Sequence, residues 1–224
     1  MIRSNLDCRL ALVASMVRPG KRIADVGTDH AYLPVWLVRE GIVPQAVATD
    51  IRKGPLSSAA RNVADAGLAD KISLRLCSGL SGVSPTEADD IVIAGMGGEL
   101  IASILEEARW TRDSEKQLVL QPMTADIPLR RWLLSNGFDI REEHAVCTEK
   151  HIYLAILARY DGIERIGDEL FCITGKLQTA EGEAARRYRA KQRKKLAARR
   201  DGLLAQGKRE EAAGLGRLIE SIPK

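Results

Sequence analysis

Asp25-Val26-Gly27-Thr28-Asp29-His30-Ala31 ends a short apolar run at residues 21–26 and opens a stretch with helical spacing. Two carboxylates around one glycine restrict what such a turn can hold. A dinucleotide turn reads G-x-G-x-x-G, because glycine amides at a helix N-terminus cradle pyrophosphate. Only Gly27 fits that pattern, and Asp29 stands where phosphate charge would fall. The turn therefore argues against a nicotinamide cofactor and against a P-loop nucleotide. S-adenosylmethionine carries no phosphate. Its ammonium and sulfonium are cationic and suit Asp25 and Asp29, and backbone N–H groups of the turn are left for its carboxylate.

The next two strand ends extend this reading. Thr49-Asp50-Ile51 follows, with Asp50 placed 25 positions after Asp25. A carboxylate there can accept both hydrogen bonds of a ribose diol, and Ile51 can pack on an adenine face. Cys77-Ser78-Gly79-Leu80 offers a small hydroxyl and a backbone N–H to the adenine edge. Each feature has an ordinary structural explanation, since aspartate after a strand is a common helix N-cap. The spacing of all three favours the nucleoside site. Ala94-Gly95-Met96-Gly97-Gly98-Glu99 is a glycine-rich strand end that permits close backbone approach to a planar ring, or is simply a tight turn into a helix. Gln121 either reads a base edge or caps the next helix. Tyr32 and Trp36 read as core, and the lone histidines His144 and His151 carry no assigned role.

These turns need elements to hold them. Leu6, Leu10, Val13 and Val17 recur at helical spacing until Pro19-Gly20 stops them. Strands are predicted at 21–26, 45–49, 72–76, 90–94 and 117–120. Helices are predicted at 31–40, from Pro55 to Gly67, at 99–108 and at 127–136. Five strand–helix alternations favour a parallel sheet covered on both faces. Residues 138–146 and 151–160 then form a hairpin with no helix between. A parallel sheet closed by an antiparallel hairpin is the outline of class I methyltransferases.

Beyond Tyr160 the composition changes. Ala184, Tyr188, Leu196 and Leu203, then Ala212, Leu215, Ile219 and Ile222, predict two antiparallel helices turning near Gly207. Gly182, Gly202, Gly214 and Gly216 each weaken that pair by roughly 1 kcal/mol relative to alanine. The net charge of +4 is uneven: residues 176–224 carry +8 and residues 1–175 carry −4. Nine Lys and Arg fall within residues 186–200. Such density suits a phosphate backbone as well as a plain solvated helix face.

Cys8, Cys77, Cys147 and Cys172 form no CxxC pair, so neither a structural zinc site nor any other metal is expected. Scattered thiols fit a reducing cytoplasm. No apolar run reaches a membrane span, and residues 1–7 lack a signal peptide's apolar core.

Asp25-Val-Gly-Thr-Asp-His-Ala-Tyr-Leu-Pro34, Ile93-Ala-Gly-Met-Gly-Gly98 and Leu120-Gln121-Pro122 together resemble the bacterial TrmK-like family. The resemblance covers essentially the whole chain. It implies a Rossmann-like class I domain over 1–160 and a basic helical coiled-coil domain over 161–224. It implies methyl transfer from S-adenosylmethionine to N1 of adenine 22 in tRNA, in the cytoplasm and without an obligate protein partner. The family's donor-binding positions fall on Asp25, Gly27, Asp29, His30, Asp50, Ser78, Gly79, Gly95 and Met96, beside which the strand ends add Ile51 and Leu80. Asp29 is the first candidate to stabilise charge on the adenine, or else it only binds the donor ammonium. Gly97, Gly98 and Gln121 are expected to meet the base. Arg186, Arg187, Arg189, Lys191, Arg193, Lys194 and Lys195 are expected to meet tRNA phosphates. Removing residues 176–224 is expected to spare donor binding and abolish most tRNA affinity. A methyltransferase acting on another nucleic acid and a non-catalytic RNA-binding protein remain alternatives.

Overall fold

Ile23–Val26, three apolar residues and Asp25, form β1, and all four are buried. A strand buried on both faces belongs at the centre of a parallel sheet. In the computed structural model, which describes residues 6–224, β1 pairs in parallel with both β2 (Ala46–Asp50) and β4 (Asp90–Gly97). β3 (Ile72–Leu76) lies outside β2, and β5 (Gln117–Thr124) lies beside β4. The hairpin of β6 (Phe138–Cys147) and β7 (Ile152–Tyr160) completes seven strands in the order β3-β2-β1-β4-β5-β7-β6. β7 pairs antiparallel with β5, so the hairpin is inserted as expected, with β6 at the edge.

Side chains alternate between two cores along these strands, as the period of two requires. Ala24, Val26, Ile91, Ile93, Leu118 and Leu120 face one layer, which holds Ile101 and Leu105 of α4 (Gly98–Glu107) and Leu129 and Leu133 of α5 (Asp126–Ser135). Ile23, Val92 and Val119 face the other, with Val13 of α1 (Cys8–Ser15), Leu37 of α2 (Tyr32–Arg39) and Val63 of α3 (Lys53–Asp65). The sheet order reverses at β1, whose neighbours are β2 and β4. That reversal opens a crevice at the carboxyl ends of the strands.

The C-terminal region departs from a simple appendage. A short helix, α6 (Glu169–Thr174), and a 3₁₀ turn at Gly175–Gln178 precede α7 (Glu183–Ala205) and α8 (Arg209–Ser221). The sequence pattern did not reveal α6; it has six residues, too few to express a period, although Asp168 caps it by accepting from the Phe171 amide at 2.9 Å. Ala185 and Tyr188 of α7 join the core of the sheet. Leu196 and Ile222 pack with Ile173 of α6 in a smaller cluster. Deleting residues 176–224 would therefore uncover part of that core, so the truncation bears on the fold as well as on tRNA affinity. The reading of residues 1–5 as lacking a leader lies outside the described residues. Among those described, no helix is long and apolar enough to cross a membrane.

Candidate active site

A cavity of about 440 Å³ occupies the crevice. It is lined from β1 and its turn, from the ends of β2, β3 and β4, and from α1 and α4. The structure brings together ten of the eleven candidate donor-binding residues: Asp25, Gly27, Asp29, His30, Asp50, Ile51, Ser78, Gly79, Gly95 and Met96. Leu80 does not. It is 3% exposed and packs in the core, so it is withdrawn from the site.

The turn after β1 is braced from several sides. The amides of Gly27 and Thr28 both donate to Thr49 O, at 2.8 and 2.9 Å. These two N–H groups are therefore not available for a ligand carboxylate, which corrects part of the expectation for this turn. The Thr28 hydroxyl donates to Asp25 Oδ2 at 2.6 Å, and Asn62 Nδ2 holds His30 O at 2.8 Å. Asp29 and Ala31 take φ of 52° and 55°, a left-handed conformation uncommon outside glycine. Gly27 has φ 72°, and a Cβ there would collide with Met96 Cε. Gly27→Ala is expected to lower donor affinity at least tenfold and stability by about 1–2 kcal/mol. Calorimetric titration and a urea melt on the same sample measure both.

Burial dominates the electrostatics. Asp25 is 5% exposed, and its carboxyl is pushed up to about 6 by that burial, against the opposing pull of Thr28 and Arg9. A buried carboxylate held by a neutral hydroxyl still favours an incoming cation. Asp50 is equally buried, and its Oδ1 accepts from the Arg52 amide at 2.8 Å, which fixes the carboxylate at the cavity wall. Thr49 Oγ1 donates to Gly79 O at 2.9 Å and ties the β2 and β3 turns together. Ile51 remains 69% exposed beside Asp50, an apolar surface awaiting a flat partner. The donor set thus fits a nucleoside with a cationic amino-acid tail: acids at two depths and a glycine cradle, with Arg9 and Arg52 as the arginines of the lining.

The glycine-rich end of β4 divides by role. Gly95, at φ 85°, lines the cavity, and β4 slips register against β5 between Ala94 and Gly97. Gly97 and Gly98 do not reach the cavity. A Cβ on Gly97 would lie 3.2 Å from Thr124 Oγ1, and one on Gly98 would collide with Ala125 O. Both residues serve the close packing of α4 against the β5–α5 turn, not a base. Gln121 is likewise corrected. It is fully buried, its Oε1 accepts from the Gly95 amide and from Arg9 Nη1 at 3.1 Å each, and its Nε2 donates to Pro122 O. It positions Gly95 and Arg9 and has no free edge for substrate.

Arg9, Leu10, Tyr32, Arg52, Cys77, Leu100 and Ile104 also line the cavity, though none of them was a candidate site residue. Arg9 lies on the flank of α1, where only its tertiary neighbour Gln121 reveals a role. Tyr32 is 37% exposed and stacks on His30 at 5.3 Å, so it belongs to the cavity and not to the core, whereas Trp36 packs against the core as expected.

On α7, Arg186, Lys191, Lys194 and Lys195 are exposed, and Arg187 and Arg193 are half-buried. Arg189 is different. It is 5% exposed, and its guanidinium donates to Leu177 O, Ala180 O, Pro223 O and Lys224 O at 2.8–3.2 Å. Arg189 joins α7 to its flanking segments and is withdrawn from any phosphate-binding face.

Residues 6–156 match the family described as a methyltransferase domain. Over 165 residues the chain is 38% identical to the tRNA (adenine(22)-N(1))-methyltransferase of Bacillus subtilis strain 168, covering 70% of this chain and 69% of the relative. The chain belongs to the TrmK-like methyltransferase family. The solved m1A22 tRNA methyltransferase TrmK of Bacillus subtilis superposes on this TrmK-like chain with a TM-score of 0.86 at 29% identity, covering 98% of this chain and 99% of that one. A Streptococcus pneumoniae relative, solved in complex with S-adenosyl-L-methionine, gives a TM-score of 0.83 at 34% identity, covering 97% and 98%. The TrmK-like fold therefore includes the C-terminal helices, since these alignments span nearly the full length of each chain.

Proposed function

We propose that this chain transfers a methyl group from S-adenosylmethionine to N1 of adenine 22 in tRNA, within the cytoplasm. One observation carries the reading: a cavity with acids at two depths lies at the switch point of a chain 38% identical to a tRNA (adenine(22)-N(1))-methyltransferase. S-adenosylmethionine, when bound, supplies an electrophilic methyl on a cationic sulfur. Asp25, buried below the turn, binds the ammonium. Asp50 accepts from the ribose hydroxyls, Ile51 packs on the adenine, and Ser78 and Gly79 meet its edge. Gly27 and Gly95 admit the ligand where side chains would block it.

Adenine N1 presents an in-plane lone pair and needs no base to attack. Positioning supplies most of the acceleration. The product ring is cationic, so a carboxylate beside it stabilises charge as it forms. Asp29 fits that role: its side chain is 59% exposed, at the cavity wall, and Asp29 Oδ2 lies 3.6 Å from His30 Nε2. Asp29→Asn is expected to lower kcat about a hundredfold with donor Kd unchanged. A weakened donor Kd with unchanged kcat would assign Asp29 to the donor instead. The exposed cations of α7, Arg186, Lys194 and Lys195, follow the tRNA backbone together with Lys191 and the half-buried Arg187 and Arg193. Incubation with unmodified tRNA and labelled donor, followed by mapping of the methylated position, tests the whole reading. Methylation at any other position, or none, overturns it.

A further inference from the structure

Beside the first cavity lies a second, of about 310 Å³, where β5, the β6–β7 turn and α7 meet. Its lining combines the cations Lys150, Arg187 and Lys191 and the imidazole of His151 with Pro122, Met123, Ile152 and Tyr153. No Asp or Glu lines it. Arg187 Nη1 pairs with Glu183 at 3.6 Å, but that carboxylate is 74% exposed and outside the lining. Arg187 is held in place by donating to Glu149 O at 3.2 Å, so the turn and α7 form a single wall. Lys191 follows one helical turn later on the same face.

The two cavities are neighbours. Met96 lines the first and pairs in register with Pro122, which lines the second. The strands between them lie about 4.8 Å apart, less than a nucleotide spans. Three cations beside apolar and aromatic side chains in one pocket match a phosphodiester with its attached nucleoside: the cations take the phosphate, and the apolar lining packs on what the phosphate carries. An adenine drawn out of its stack must also have its flanking backbone held.

We infer that this second pocket grips a backbone phosphate of the RNA strand next to the target adenine, an inference that rests on the reading of the chain as an RNA methyltransferase. Its residues from the hairpin, Lys150, His151 and Tyr153, add an RNA contact outside the basic helix. Lys150→Ala with Lys191→Ala in the full chain tests it. Both side chains are exposed, so the fold is expected to hold. The double variant is expected to raise the KM for tRNA about tenfold and leave donor Kd unchanged. It is also expected to flatten the salt dependence of tRNA binding by about 1.5 in log–log slope, the loss of two phosphate contacts. Equal charge loss at Lys21 and Lys71, exposed at the opposite ends of the strands, is expected to change neither. An unchanged slope and KM in the Lys150/Lys191 variant overturns the pocket, as does an equal effect from the Lys21/Lys71 pair. If the unaltered chain binds tRNA but methylates nothing, the enzymatic reading falls, while the slope still decides whether this pocket holds phosphate.

Discussion

Replacing Arg130 with alanine is expected to lower the unfolding free energy by about 3–5 kcal/mol, because a buried carboxylate loses its partner. Arg130 is fully buried on α5. Its Nε donates to Glu143 Oε1 at 2.7 Å, Nη1 to Cys172 O at 3.0 Å, and Nη2 to the Tyr188 hydroxyl at 2.9 Å. Glu143, 4% exposed on β6, also accepts from the Lys176 amide through Oε2 at 2.6 Å. The Tyr188 hydroxyl donates to Asp126, which Gln192 reaches at 2.9 Å. The guanidinium of α5 therefore binds β6, α6 and α7 directly, and the 3₁₀ turn through Glu143. Gly175 makes room for it, since a Cβ there would collide with Glu143 Oε2. Arg130→Met combined with Glu143→Leu removes both charges and is expected to recover most of the loss, as apolar replacements of buried pairs do. Urea denaturation of the three variants is the measurement. A loss under about 1 kcal/mol for Arg130→Ala would show that the network does not hold α7 to the sheet.

Asp25→Asn is expected to move stability and donor binding in opposite directions. In the folded chain the Asp25 carboxyl titrates at about 6, above its ordinary value of 3.8. The folded state then holds a proton that the unfolded state has released, so stability falls as pH rises from about 4 through 6. At neutral pH this ionisation costs about 1–3 kcal/mol. Asparagine removes the cost and still accepts from Thr28, so the variant is expected to be more stable at pH 7 by that amount. Its donor affinity is expected to fall more than tenfold, because the buried anion is gone. In the unaltered chain, donor affinity is expected to rise with pH through about 6, as the anion forms; in the variant that rise disappears. Calorimetric titrations between pH 5 and 7 decide it. A flat profile in the unaltered chain would mean that Asp25 is not the group that meets the cation.

The central sheet was legible because its strands are short apolar runs punctuated by glycine, proline and aspartate. β3 begins and ends at the predicted residues, 72 and 76. β4 and β5 run further than predicted, to Gly97 and Thr124. Gly95, Pro122 and Thr124 read as loop residues in isolation, yet the ladder between the strands continues through a register slip. The acidic turn was legible as well, since Asp25 and Asp50 stand at the carboxyl ends of strands and Asp29 in the turn that follows β1. What the sequence hid was tertiary. Gln121 looks like a reader of bases until its amide is seen saturated by Arg9, Gly95 and Pro122. Arg189 looks like any cation of a basic helix until it is found buried among carbonyls. Spacing places a residue on a face of a helix, but it does not say what covers that face.

The braced turn after β1 carries a last implication. Asp29 and Ala31 sit in a backbone conformation that costs each about 1–2 kcal/mol relative to glycine. Hydrogen bonds to Thr49, Asp25 and His30, all within the protein, hold that shape. The cleft is thus preorganised: little chain entropy remains to be lost on association, and the penalty of ordering the loop has been met during folding rather than at each turnover.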